Sequence, residues 1–146
     1  MADSANRRRI TLEVFLAAVK EDIRRELRLA GEYIDCAGMV GEEKADRAGG
    51  HLPRLAAHAM CRATALAAEV LAAGEIPPAG ARSGRRMAVR WPAMEQCRAR
   101  LDWALRHYRR RLWTARKLGL FRFAGTLLEI VRTTRSQLAE IERVAM

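Results

Sequence analysis

Arginine and tryptophan are the residues of this chain with the most distinctive chemistry, and both are concentrated between residues 82 and 122. This segment has 13 arginine and lysine residues against two acidic ones, a local net charge of +11, whereas the whole chain carries +10. It also contains all three tryptophans: Trp91, Trp103 and Trp113. A guanidinium forms paired hydrogen bonds with a phosphate, and an indole ring offers a flat surface on which a base can stack. The composition therefore predicts nucleic-acid binding.

The basic segment consists of a loop followed by a helix. Residues 75–91 contain Pro77, Pro78, Gly80 and Gly84, which exclude a continuous helix, so we expect a basic Gly/Pro-rich loop there. From Pro92 onward, apolar residues recur at intervals of three and four and predict an amphipathic helix. Its core side is formed by Cys97, Leu101, Leu105, Tyr108, Leu112 and Ala115.

On that helix, Trp103 and Trp113 fall on the side opposite the core, among basic residues. We expect these tryptophans, together with Trp91, to stack on bases or to contact a partner protein. The side chains expected to contact the nucleic-acid backbone are Arg82, Arg85, Arg86, Arg90, Arg98, Arg106, Arg109, Arg110, Arg116 and Lys117.

Two other interpretations of this face remain open. Tryptophan and arginine are also the residues most enriched at the energetic centres of protein interfaces, so the face can dock on a protein. Alternatively, the arginines only keep the surface soluble. The sequence does not distinguish RNA from DNA, or single strands from duplexes.

Catalytic chemistry has little support in the sequence. His58 and Cys61 are spaced i, i+3, which is half of a metal site, but a second pair of matching type is missing. The serines, Ser4, Ser83 and Ser136, have no neighbouring base. We therefore expect a non-catalytic protein without a metal or other cofactor.

Three further amphipathic helices are predicted. The first runs from about Arg8 to Gly38, the second from Pro53 to Gly74, and the last from Phe121 to the end. In the first of these helices, the residues expected to face inward are Leu12, Leu16, Val19, Ile23, Leu27, Ala30, Ile34 and Ala37. In the second they are Leu55, Ala59, Ala63, Leu66 and Val70. In the last they are Ala124, Leu128, Val131, Leu138, Ile141 and Ala145. The alternating charges between residues 20 and 28 are interpreted as a solvated face with ion pairs.

These patterns predict an all-α fold, a four-helix bundle with long antiparallel helices. We expect one domain over residues 1–146, with residues 1–7 as a flexible lead. The three cysteines are interpreted as small buried thiols in a reducing cytoplasm. No uninterrupted apolar run reaches 18 residues, so a membrane span is not expected. The core is rich in alanine and thin, which favours a homo-oligomer.

The C-terminal half resembles the accessory variability proteins of diversity-generating retroelements. The residues that carry the resemblance are Leu118-Gly119-Leu120, a turn after a basic helix, and Leu127-Leu128-Glu129-Ile130-Val131-Arg132 in the next helix. The resemblance implies a basic four-helix bundle, assembled as a pentameric barrel, that binds nucleic acid and a partner reverse transcriptase.

Together these observations predict a basic helical accessory subunit of a nucleoprotein complex, bound to the RNA or DNA backbone and to a partner protein such as a reverse transcriptase. Two alternatives remain: a small helical subunit of a CRISPR-type effector complex, and a helical protein–protein adaptor without a nucleic-acid role.

Overall fold

The computed structural model describes residues 2–38, 51–80 and 94–145, and these residues form four helices and no strand. Helix α1 spans Ala2–Gly38, α2 spans Leu52–Ala72, α3 spans Met94–Lys117 and α4 spans Phe121–Ala145. The prediction of an all-α fold with four long helices is confirmed, and the antiparallel arrangement is found within each of two helix pairs, α1 with α2 and α3 with α4.

The chain divides into two compact units. The N-terminal unit, Met1–Arg90, contains α1 and α2, and the C-terminal unit, Trp91–Met146, contains α3 and α4. The single domain over residues 1–146 stays a prediction.

Helix α1 begins earlier than the sequence pattern predicted. We expected it to start near Arg8, but it starts at Ala2, so the prediction that residues 1–7 precede the helix is wrong. Neither glycine nor proline interrupts residues 2–30, and alanine and arginine are good helix formers.

Helices α1 and α2 form an antiparallel pair. Arg62 Nε on α2 lies 3.0 Å from Glu26 Oε2 on α1, and Lys20 Nζ, nearer the start of α1, lies 2.7 Å from Glu75 Oε2, beyond the end of α2. The predicted stripe of α2 is buried throughout. Because its members include Ala59 and Ala63, the backbone of a neighbouring helix can approach closely.

The charged face of α1 is only partly solvated, so its interpretation as an exposed face is wrong at two positions. Asp22 and Glu26 are 0% and 2% exposed. They lie three residues from the buried Val19 and Ile23 respectively, and so they share the buried face of the helix. Asp22 Oδ1 accepts a hydrogen bond of 2.6 Å from Arg25 Nη2.

The C-terminal part of α1 is rotated relative to the predicted stripe. Ile34 was expected to face inward but is 57% exposed, whereas Tyr33 and Cys36 are buried. After Ala30 the buried positions advance in steps of three, not four, and a single step moves a side chain by about 100° around the helix.

Helix α2 has an exposed side as well as its buried stripe. Met60 and Leu71 lie on it, and so does Cys61, which corrects the prediction that all three thiols are buried. Among the described helices, α2 alone is long and apolar enough to cross a membrane by length and composition, a property that core helices share.

Helices α3 and α4 are joined by a short turn at Gly119. Gly119 has φ +72°, Leu120 N–H donates to the Ala115 carbonyl at 2.9 Å, and Gly119 N–H donates to the Arg116 carbonyl at 3.1 Å. This is a Schellman C-cap, in which glycine adopts the left-handed conformation. The predicted break at Gly119 is confirmed, and the turn makes α3 and α4 an antiparallel pair.

The core stripe of α3 is buried at all six positions from Cys97 to Ala115. The predicted stripe of α4 is only partly correct. Leu128 and Leu138 are half-buried, whereas Leu127 and Ile130 are buried and were not predicted. The apolar residues of α4 cover a broad arc, so the pattern did not identify its centre.

The cap at Gly119 leads to a first prediction. Replacing Gly119 with alanine should lower the free energy of unfolding by about 1–2 kcal/mol, because a Cβ is disfavoured in the left-handed region. The control is Gly125→Ala, on the exposed side of α4, where an added Cβ meets nothing within 4 Å and the backbone φ is ordinary. That change should stabilise the protein by about 0.5–1 kcal/mol. Urea unfolding followed by circular dichroism measures both, and equal effects of the two substitutions would contradict the prediction.

Candidate nucleic-acid interface

The face of α3 opposite the core is exposed, basic and aromatic. Trp103 and Trp113 are 45% and 60% exposed, and the predicted cations around them are exposed as well. We call this face, together with the adjoining flank on which Arg98, Arg109 and Arg116 lie, the basic ridge; it consists of Arg98, Trp103, Arg106, Arg109, Arg110, Trp113, Arg116 and Lys117. The predicted separation of core side and tryptophan side on α3 is therefore confirmed.

Trp113 lies at the centre of four cations. Arg109 and Arg110 precede it by four and three residues, and Arg116 and Lys117 follow it by three and four. Residues three and four apart are surface neighbours on an α-helix, so all four basic side chains start within one turn of the indole. Any group that rests on Trp113 is therefore within reach of several positive charges.

The indole of Trp113 is supported from within its own helix. Lys117 Nζ lies 3.7 Å from the ring centroid, a cation–π contact that holds the ammonium over one face of the ring. The ammonium covers only this face, and 60% of the residue is still exposed.

Trp103 is connected to the core through a second aromatic pair. Its ring stacks on His107 with centroids 4.6 Å apart and an interplanar angle of 13°. His107 in turn meets Tyr108 edge-on at 5.4 Å, and Tyr108 is fully buried. This chain of ring contacts limits the rotation of Trp103, although the residue remains 45% exposed.

The cations of the ridge differ in whether they already have a partner. Arg106 Nη2 lies 2.7 Å from Asp102 Oδ2, an exposed i, i+4 ion pair. In contrast, four arginines of the ridge form no ion pair with any residue that the structure describes. These are Arg98, Arg109, Arg110 and Arg116. An arginine without an internal carboxylate retains all five of its N–H donors for an external anion.

Positive charge and exposed aromatic rings occur together in the C-terminal unit. Its described residues carry twelve basic and five acidic side chains, a net charge of +7, whereas those of the N-terminal unit carry nine of each. All exposed aromatic residues of the described chain belong to the C-terminal unit: Trp103, Trp113 and Phe121. The large exposed apolar side chains of the N-terminal unit are aliphatic.

Five residues of the predicted site precede the described part of α3. Arg82, Arg85, Arg86, Arg90 and Trp91 lie outside the described residues, so their role stays a prediction. The start of the predicted loop, residues 75–80, is described and non-helical.

That start of the loop lies along α1. Glu75 is paired with Lys20, and a Cβ added to Gly80 would meet Leu27 Cδ1 at 3.6 Å.

Some exposed residues near the ridge were missed. Phe121, at the start of α4, is 78% exposed. Its position just after the glycine turn could have indicated this exposure. Four exposed arginines on α4 were also not predicted as site residues: Arg122, Arg132, Arg135 and Arg143.

The remaining chemistry-bearing residues do not converge. His58 is half-buried and Cys61 exposed on α2. Within residues 2–38, 51–80 and 94–145, no group of three His, Cys, Asp or Glu side chains is placed to hold a metal ion.

Comparison with known proteins finds no family model, no curated protein and no solved structure that matches this chain. The resemblance of its C-terminal half to the accessory variability proteins stays a prediction.

Proposed function

We propose that this chain is a non-catalytic accessory subunit that binds the backbone of RNA or DNA through the basic ridge, within a nucleoprotein complex that includes a partner protein. The observation that carries the proposal is a set of four exposed arginines on α3, Arg98, Arg109, Arg110 and Arg116, that form no ion pair with any residue that the structure describes.

The chemistry of these arginines favours phosphate as the ligand. A guanidinium matches the geometry of a phosphate and forms two hydrogen bonds with it. Arg98, Arg109 and Arg116 are eleven and seven residues apart, so they start within about 20° of one line along the helix. Their spacing along that line is roughly 16 Å and 10 Å, which suits a ligand with charges repeated along its length.

Such contacts position a nucleic acid without reading its sequence, because they are made to groups that every nucleotide shares. The proposed ligand is therefore a backbone, and any sequence preference of the complex belongs to the partner. A reverse transcriptase is the partner that the C-terminal resemblance favours, and we place the complex in the cytoplasm.

The alternative of a protein–protein adaptor draws support from the exposed aromatic rings, because aromatic residues and arginine are enriched at interfaces. However, the core of a typical protein interface is depleted of charge. Around Trp113 the surface neighbours three and four residues away are all cations, which favours a polyanion instead.

Salt dependence is the direct test of the proposal. If Arg98, Arg109, Arg110, Arg116 and Lys117 each contact one phosphate, the slope of log affinity against log salt should be about −3.5 for a single strand and about −4.5 for a duplex. Fluorescence anisotropy with a labelled oligonucleotide, between about 0.05 and 0.5 M salt, measures this slope. An affinity that does not change over this range would rule out backbone binding.

A further inference from the structure

We propose that the basic ridge binds single-stranded RNA or DNA, with an unpaired base stacked on Trp113 and the neighbouring phosphates bound by the surrounding cations. This inference rests on the proposed function and adds the class of nucleic acid and the position of a base.

The ring of Trp113 is preorganised as a stacking surface. Its ring is oriented by Lys117, 3.7 Å from the centroid, and the residue is 60% exposed. A ring held in one orientation loses less conformational freedom when a ligand stacks on it. The indole is therefore better prepared for a flat partner than a freely rotating side chain would be.

Positive charges surround the ring of Trp113. Arg109, Arg110 and Arg116 begin within one turn of Trp113 and have no ion-pair partner among the described residues. In a single strand, each base is flanked by two phosphates. A base stacked on Trp113 therefore brings the negative charges of its two flanking phosphates close to these arginines.

A continuous duplex is a poorer ligand for this surface than a single strand. Inside a duplex both faces of each base are covered by its neighbours, so an exposed indole finds no free base face. Proteins that bind single strands without sequence preference combine a basic surface with aromatic stacking platforms. The ridge has both components on one helix, and among residues 95–117 its large exposed apolar side chains are the two tryptophans.

The experiment compares three labelled oligonucleotides of about 16 nucleotides, the upper site size for one small binding module: a homopyrimidine single strand, an abasic single strand of equal charge, and a blunt duplex. The wild-type chain should bind the homopyrimidine strand roughly tenfold more tightly than the abasic strand. Trp113→Ala should remove this preference, and it should leave affinity for the abasic strand and the duplex within about twofold of wild type.

The control variants are chosen for similar exposure and chemistry. Trp113→Phe should retain most of the preference, because a phenyl ring also stacks. Phe121→Ala removes a more exposed aromatic ring from the same unit, and it should leave the preference unchanged. Trp113 is exposed, so its substitution should not change the circular dichroism spectrum.

The outcomes separate this inference from the proposed function. Equal binding of the homopyrimidine and abasic strands by the wild type, or an equal loss on all three probes in Trp113→Ala, overturns base stacking and leaves backbone binding intact. Failure of the wild type to bind any probe overturns the proposed function itself. If Trp113→Ala changes the native mass and leaves all three affinities unchanged, the indole contacts protein and the inference is wrong.

Discussion

Replacing Arg109, Arg110 and Arg116 together with glutamate is expected to weaken binding of a single-stranded oligonucleotide by roughly 1,000-fold or more, because three charge-assisted contacts of at least about 1.5 kcal/mol each are lost. These arginines form no ion pair with any described residue, so no internal pair is broken by the change. The slope of log affinity against log salt should fall in magnitude by about 2. Anisotropy titrations at several salt concentrations measure both quantities.

The matched control changes the same net charge on the neighbouring helix. Arg132, Arg135 and Arg143 are exposed on α4, and their replacement with glutamate also lowers the net charge of the C-terminal unit by six. We expect a loss in affinity of less than about tenfold, since only the long-range field is altered. If both triple variants lose affinity equally, general charge and not the ridge is responsible.

Asp102 offers a test of opposite sign on the same surface. Asp102 Oδ2 lies 2.7 Å from Arg106 Nη2, so this arginine already has an anionic partner. Asp102→Asn in the same titration should release this arginine and raise the affinity severalfold. An affinity unchanged or reduced in this variant would count against the ridge as the binding surface.

The second large effect concerns the buried ion pair between α1 and α2. Replacing Arg62 with methionine is expected to lower the free energy of unfolding by about 3–5 kcal/mol. Arg62 is 6% exposed and Glu26 2%, so the substitution leaves a carboxylate buried without its cation. Arg62 Nε and Glu26 Oε2 are 3.0 Å apart, so the two charges are in direct contact. Urea unfolding followed by circular dichroism measures the loss.

Two further variants serve as comparisons for Arg62→Met. The double variant Glu26→Leu with Arg62→Leu should recover most of the lost stability, because apolar residues that replace a buried pair avoid its desolvation cost. Arg24→Met breaks the exposed pair of Arg24 with Glu21 on the same helix, and it should cost less than about 1 kcal/mol. Equal stability of Arg62→Met and wild type would show that the buried pair contributes nothing.

Much of the architecture could be predicted from local spacing. The stripes of α2 and α3 were identified correctly because their apolar residues recur every three or four positions, and Gly74 and Gly119 each mark a helix end with positive φ. The same spacing placed Trp103 and Trp113 opposite the core. Even the contact of Trp113 with Lys117 is an i, i+4 pair that the sequence contains.

Other features could not be predicted in this way. Asp22 and Glu26 occupy positions of the buried stripe of α1, but charged residues at those positions are ordinarily interpreted as solvated. Glu26 is buried opposite Arg62, which belongs to another helix, and nothing near Glu26 in the sequence indicates that partner. On α4 the apolar arc is broad, so periodicity alone did not show that Leu127 and Ile130 are more deeply buried than Leu128.

By itself the sequence determined the helical class, the ends of α2, the C-terminal end of α3, and the concentration of positive charge and tryptophan on one side of α3. These properties follow from helix geometry, which is local and repeats every 3.6 residues. Only the tertiary structure decided which charges of α1 are buried, because that depends on how α2 packs against them. The structure also showed which arginines of the ridge have a carboxylate within reach: Arg106 is paired with Asp102, whereas Arg109, Arg110 and Arg116 form no ion pair within the described chain. Helix geometry makes the i, i+4 pair of Arg106 with Asp102 available, but only the positions of the side-chain atoms show that it forms.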